Sequence, residues 1–278
     1  MCASDDATKT DKTPSHTRDA LQHLTHRLRA EHLPDGLDAH DARPPANGEP
    51  SAGAPTLRHE RIEARVHPAD PMLWLAMQPV YPRLFFANQS STVVVGAVGA
   101  AHTLRTNGAA PDDAQWATMI GACAPHARMR YYGGTRFDAA AATAAEWADF
   151  GGSVFVLPQW ELQLCGGACY LACNLCWRAD ATGDGRRAAA EAALRLAARL
   201  RAVSTTAEQP RPAHALPLPL AAVRAQSEAQ WDAAVGSALD GIARRRWNKL
   251  VLAQRTTLQL SRPVEALHLL RCLVDSSG

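Results

Sequence analysis

The sequence predicts a mixed α/β (α+β) protein whose strands pair mostly antiparallel. Strand-like segments at 128–137, 153–158, 160–164 and 168–177 crowd together, with Gly151-Gly152 and Gly166-Gly167 placed as hairpin connections. Helical segments lie beyond them. Residues 185–203 are dominated by Ala and Leu, with Leu194, Ala197, Ala198 and Val203 near one face, and 226–246 carry a stripe of Trp231, Val235, Leu239 and Ile242. The 278 residues suit one large domain or two small ones, and 47% hydrophobic with 20% charged residues excludes a wholly disordered chain.

The remaining elements follow in order. Leu21, Leu24 and Leu28 give helical spacing, and residues 33–56, rich in Pro, Gly, Asp and Ala, read as a disordered linker. Residues 57–66 alternate as a half-buried strand. Asp70 caps a short helix with Pro71 at its first position and Leu73, Trp74 and Met77 on one face. After Pro82, residues 84–86 and the β-branched run 91–98 are strands, and 112–123 a helix. Trp147 and Phe150 are placed to plug the end of a sheet. A Pro-rich connector runs to Leu220, then come strands at 249–253 and 256–260 and a helix from 265 to 274. The domains expected are 1–56, a weak helix and linker; 57–220, a sheet-rich region; and 221–278, the start of a further domain.

Charge and targeting narrow the partners. The net charge of +2 lacks the basic excess of a nucleic-acid binder, so neither nucleic acid nor a membrane surface is expected. No apolar run is long enough to span a bilayer. The first residues resemble neither a secretory signal nor an acid-poor transit peptide, so the chain works where it is made or begins short of the gene product's true start. The odd number of cysteines, seven, with no export signal implies reduced thiols.

Three motifs invite chemistry. Cys165, Cys169, Cys173 and Cys176 include a C-x3-C-x2-C spacing that could hold an iron–sulfur cluster or zinc. On a strand, however, Cys169 and Cys173 point one way and Cys176 the other, so buried small thiols are the weightier reading. Gly96 and Gly99 echo part of a dinucleotide fingerprint, but no helix follows, which favours a bulge in a sheet. Lys249 stands at a helix-to-strand junction. Desolvation there would lower the ammonium pKa and free the amine as a general base, although a lysine at the exposed end of a strand is the commoner arrangement.

At Lys249 the chain as a whole resembles the chorismate-utilising enzymes, and among them the isochorismate synthases of the menaquinone and phylloquinone branch. LWLAMQP at 73–79 with PRLFF at 82–86, then the strand at 93–101, is similar to that family's entry segment. YYGGTRFD at 131–138 resembles its YGG-x-RFD segment, and WADF at 147–150 with FVLPQWE at 155–161 its W-x-x-F…F-x-x-P-x-x-E segment. KLVLA at 249–253 resembles the strand K-V-V-L-A-R that opens its catalytic domain. The resemblance covers about 57–278 and implies a large, mostly antiparallel sheet system with outer helices, incomplete at the C-terminus.

It also implies an isomerase, Mg²⁺-dependent, that adds water at C2 of chorismate and releases the C4 hydroxyl, with Lys249 as the general base. The family's general acid and Mg²⁺-binding glutamates are expected beyond residue 278, so the piece alone is expected to be inactive. Gln254 followed by Arg255 departs from the family's single arginine. Residues 131–138 and 155–161 also read as scaffold: Gly133 and Gly134 permit a bulge or close packing, and Arg136 and Asp138 can pair. A salicylate, anthranilate or aminodeoxychorismate synthase, or a non-catalytic truncated binding module, stays open, as does fusion to a later pathway enzyme. The resemblance implies a plastid location in a plant or alga and otherwise a cytoplasmic one.

Overall fold

The computed structural model describes residues 16–33, 57–108, 110–138, 141, 145–179, 184–202 and 219–276. The expected linker at 34–56 and the connector at 203–218 lie outside them. The chain divides into two compact units, Met1–Gln209 and Pro210–Gly278.

The first unit is organised on a six-stranded antiparallel sheet. Its strands are β1 (Leu57–Val66), β2 (Arg83–Ala87), β3 (Val93–Thr106), β4 (Tyr132–Thr135), β5 (Ser153–Cys165) and β6 (Ala168–Arg178). The order is β1-β6-β5-β3-β2, with β4 pairing the start of β5. Gly166 and Gly167 close the β5–β6 hairpin with φ of 57° and 82°, a two-residue turn that side-chain-bearing residues rarely adopt.

The helices of this unit are α1 (Thr17–His32), α2 (Pro71–Met77), α3 (Asp113–Cys123) and α4 (Asp184–Ala197). Helices α1, α2 and α4 cover one sheet face. Ile62, Leu171, Cys173, Leu175, Trp160 and Leu162 are buried there with Leu24 and Leu28 of α1, Leu75 of α2 and Ala190 and Ala193 of α4. Each large apolar side chain so buried contributes about 1.5–3 kcal/mol. The Trp160 indole N–H donates to the Ala193 carbonyl at 3.0 Å, fixing α4 to the sheet. Gln78 donates to the carbonyls of Trp74 and Arg201 and accepts from the Arg201 amide, clamping the end of α2 to the chain after α4.

Several expectations are corrected. The segments 153–158 and 160–164 are one strand, because Pro158 faces the bulge of β3, where pairing shifts between Ala100 and His102 and a missing N–H is tolerated. That shift follows Gly99, so the glycine motif is a bulge. Only 132–135 of the expected strand 128–137 pairs. Trp147, in a short 3-10 helix, is 57% exposed and so does not plug the sheet end, whereas Phe150 beside it is partly covered. Trp74 is buried in α2 as expected, but Leu73 and Met77 are only partly covered. Helix α4 buries Ala190, Ala193 and Ala197, leaving Leu194 partly covered and Ala198 exposed.

The second unit comprises β7 (Pro219–Arg224), α5 (Glu228–Ala243), β8 (Thr256–Leu260) and α6 (Ala266–Ser276). Strands β7 and β8 form a two-stranded antiparallel ribbon. The expected buried stripe of α5 is open: Leu239 is 61% and Ile242 38% exposed, while Ala238 and Gly241 are buried. No helix among the described residues is long and apolar enough to cross a membrane.

Candidate functional site

Lys249 is positioned by the way α5 ends. The Arg245 amide donates to the Ile242 carbonyl and the Arg246 amide to the Gly241 carbonyl, both at 2.9 Å, while Arg245 takes a left-handed φ of 56°. This is the Schellman arrangement that stops a helix and reverses the chain. Trp247 then lies over Gly241, where an added Cβ would stand 2.3 Å from the indole. Lys249 follows on an exposed stretch with no strand.

The expected strand at 249–253 does not form among the described residues. The β7–β8 ladder pairs only 256–260 and ends with the bond from the Ala225 amide to the Arg255 carbonyl, so among the described residues 249–254 has no strand paired to it. A strand needs such a partner to satisfy its backbone. The described residues therefore supply no dry pocket around the Lys249 amine, and Leu250, Val251 and Leu252 beside it are also exposed. Gln254, at the position of the family's arginine, donates to the Gln226 carbonyl at 3.0 Å.

A second polar constellation lies on the sheet face opposite α1 and α4. Arg61 of β1, 3% exposed, reaches Glu161 of β5, Asn174 of β6 at 3.0 Å and Gln163 at 3.2 Å, and pairs with Glu63 at 2.7 Å. Arg128 also pairs with Glu63 and lies 4.0 Å over the Tyr170 ring. Burial opposes the charge on Arg61, yet Glu161 and Glu63 raise its pKa overall. Burial likewise pushes Glu63 up, but hydrogen bonds from Arg128 and Arg61 bring it below the usual carboxylate value. The two guanidinium and two carboxylate charges balance, which makes their burial tolerable. Glu161 Oε2, Gln163 Nε2 and Tyr132 Oη are buried without a partner in this region.

Beside it, the Tyr131 hydroxyl lies 2.9 Å from both His59 Nε2 and His102 Nδ1, and Cys176 Sγ is 3.5 Å from His59. Burial, then His102 and His126, lower the His59 pKa to about 4, and burial lowers that of His102. Burial raises Tyr131. At neutral pH all three are uncharged, so the phenol donates to one imidazole and accepts from the other. Tyr131, Trp116, Met119, Met129, Arg130 and Phe155 line part of an open groove of about 460 Å³ between α3 and the sheet.

The family-like segments are engaged structurally. A Cβ on Gly133 would meet the Val154 carbonyl at 1.9 Å, so β4 lies tight against β5, whereas Gly134 faces open space. Arg136 donates to the Ala141 carbonyl, and Asp138 accepts the Ala141 amide at 3.2 Å. Cys169, Cys173 and Cys176 are free thiols on β6, with the first two buried. Burial raises the pKa of all three, Cys176 to about 11, which disfavours the thiolate a metal needs. Cys165 is not among the free cysteines.

The Arg61–Glu161 network was not foreseen. Its signal was present as polar residues inside apolar strands: Gln163 in WELQL and Asn174 in ACNLCW. Such residues require buried partners.

The structure carries these segments, in this order, on a mixed fold with an antiparallel sheet and outer helices. The model of the chorismate binding enzyme family matches residues 56–277, and the chain belongs to that family. In fold the chain is similar to the solved structure of MenF, the menaquinone-specific isochorismate synthase from Escherichia coli. The TM-score is 0.58 at 20% identity, covering 90% of this chain and 48% of that one. The chain thus spans about half the length of that relative. Comparison with curated protein sequences finds no significant match.

Proposed function

We propose that the protein carrying this chain is an isochorismate synthase, converting chorismate to isochorismate for quinone or salicylate synthesis. The observation that supports this most is the family match over 56–277, which includes Lys249 in the KLVLA segment. In this reading 221–278 opens the catalytic domain. Lys249, as a neutral amine, takes a proton from water as the oxygen bonds to C2, the ring double bonds shift and the C4–O bond breaks, the departing hydroxyl taking a proton from a general acid outside these residues and leaving as water. A positioned base of this kind supplies roughly 10²–10⁴-fold in rate.

The amine stays neutral only if desolvated. The exposed run Leu250-Val251-Leu252 is apolar enough to be buried, and pairing it as a strand would carry Lys249 with it. Mg²⁺ belongs to the proposal, but the described residues do not fit it in this unit. Among them, the one close group of three potential ligands is Glu31, His32 and Glu60 of the first unit. A plastid site in a plant or alga belongs to the same reading.

The test is product identity. With chorismate and Mg²⁺ in oxygen-18 water, the protein carrying this chain should release isochorismate labelled at C2. Formation of anthranilate or aminodeoxychorismate with ammonia would assign it to another branch of the family.

A further inference from the structure

We propose that Glu31, His32 and Glu60 form a site for one divalent transition-metal ion of the zinc type, joining the C-terminal end of α1 to β1. The inference is independent of the catalytic reading. Its starting point is His32. The side chain is 0% exposed; among the described residues neither ring nitrogen makes a hydrogen bond, and the nearest acceptor to Nε2 is Glu60 Oε1 at 3.5 Å. Burying an imidazole this way is costly unless something completes it.

Two carboxylates stand beside it. One ligand atom from each of Glu31, His32 and Glu60 lies within 4.8 Å of the others. His32 Nε2 is already 3.5 Å from Glu60 Oε1. Bonds of about 2.0–2.1 Å to a tetrahedral ion place neighbouring ligands roughly 3.3 Å apart, so this edge is nearly formed. The third ligand comes from Glu31, whose side chain is 40% exposed.

The surroundings favour the arrangement. Arg27 donates to Glu31 Oε1 at 2.9 Å, and Arg186 to Glu60 Oε2 at 3.2 and 2.9 Å. Each carboxylate is thus held by one oxygen, with the other left for an ion, as supporting groups orient metal ligands. The negative end of the α1 dipole lies at His32, its last residue, and attracts a cation. One nitrogen and two carboxylate oxygens suit zinc and leave a fourth position for water, whereas Mg²⁺ prefers all-oxygen sites. The arginines offset the carboxylate charge, so the site binds less tightly than an all-anionic one would.

The 278-residue chain, stripped with a chelator, is titrated with Zn²⁺, with Co²⁺ as a spectroscopic probe and with Mg²⁺ as a control. The expected result is one equivalent of Zn²⁺ bound, a raised thermal midpoint, a Co²⁺ visible spectrum, and no effect of Mg²⁺. Glu31→Gln, an exposed change, should weaken Zn²⁺ by about tenfold or more, and His32→Ala should abolish specific binding. If His32→Ala fails to fold, Glu31→Gln decides. No shift with Zn²⁺ in the parent chain overturns the proposal. Unchanged affinity in Glu31→Gln overturns it as well, since the metal would then sit on other histidines such as His23 and His26.

Discussion

The two units use the same ingredients, antiparallel strands and amphipathic helices, with opposite results. In the first, β5 has neighbours on both sides, and Trp160, Leu162, Glu161 and Gln163 are sealed from water. In the second, every position of β7 is exposed, and Leu220, Val223, Leu258 and Leu273 face solvent. Sheet width makes the difference. A central strand with helices on a face can hide even a charge, while a two-stranded ribbon has nowhere to put its apolar side chains. The first unit is therefore stabilised by long-range packing, and the second by local devices such as the Ser227 capping box and the Schellman turn at Arg245.

The sharpest way to break this contrast is to cut the buried network. Glu161→Ala leaves the Arg61 charge without its fully buried partner and should destabilise the first unit by about 3–5 kcal/mol, measured by denaturant unfolding. A loss under ~1 kcal/mol would mean the network is wet. Next comes a paired glycine test. Gly133→Ala drives a Cβ into the Val154 carbonyl and should cost about 1–3 kcal/mol, whereas Gly134→Ala, facing open space, should stay within ~0.5 kcal/mol. Equal effects would show that β4 is not packed against β5.

The acid response sharpens the contrast further. His59 is depressed to about 4, so below its ordinary value near 6.5 the unfolded chain binds a proton that the folded one refuses. Stability from this group is complete above pH 6.5 and falls as pH drops toward about 4. His59→Gln should flatten the stability profile in that window, read as thermal midpoint against pH. The smallest effect is expected in the second unit. Val251, 75% exposed, should tolerate Val251→Ala in the 278-residue chain within ~0.5 kcal/mol by the same unfolding assay.

Much of this was legible locally. The Asp70–Pro71 start of α2 and the Gly166-Gly167 hairpin each carry their signal within a few residues, and each is present; 57–66 is a strand as expected, but not a half-buried one, because its polar face is covered too, with Arg61 only 3% exposed. The misreadings involve distant partners. Residues 128–131 look like strand but serve other contacts: Arg128 turns to Glu63, and Arg130 folds back on the Ala127 and Met129 carbonyls. Pro158 looked like a break, because the bulge that accommodates it lies in β3. The candidate site was legible through KLVLA as a motif, but its strand requires a neighbour that no local pattern supplies. Arg61 and Glu161 are separated by a hundred residues, so their pairing appears only once β1, β6 and β5 align.

The most direct test of the functional account is turnover in Lys249 variants of the protein carrying this chain, with chorismate and Mg²⁺. Lys249→Ala and Lys249→Gln should lower kcat by about 10²–10⁴-fold with little change in KM, and remove the pH-dependent limb that reports the base. Isochorismate formation at the parent rate and pH profile in both variants would contradict the account.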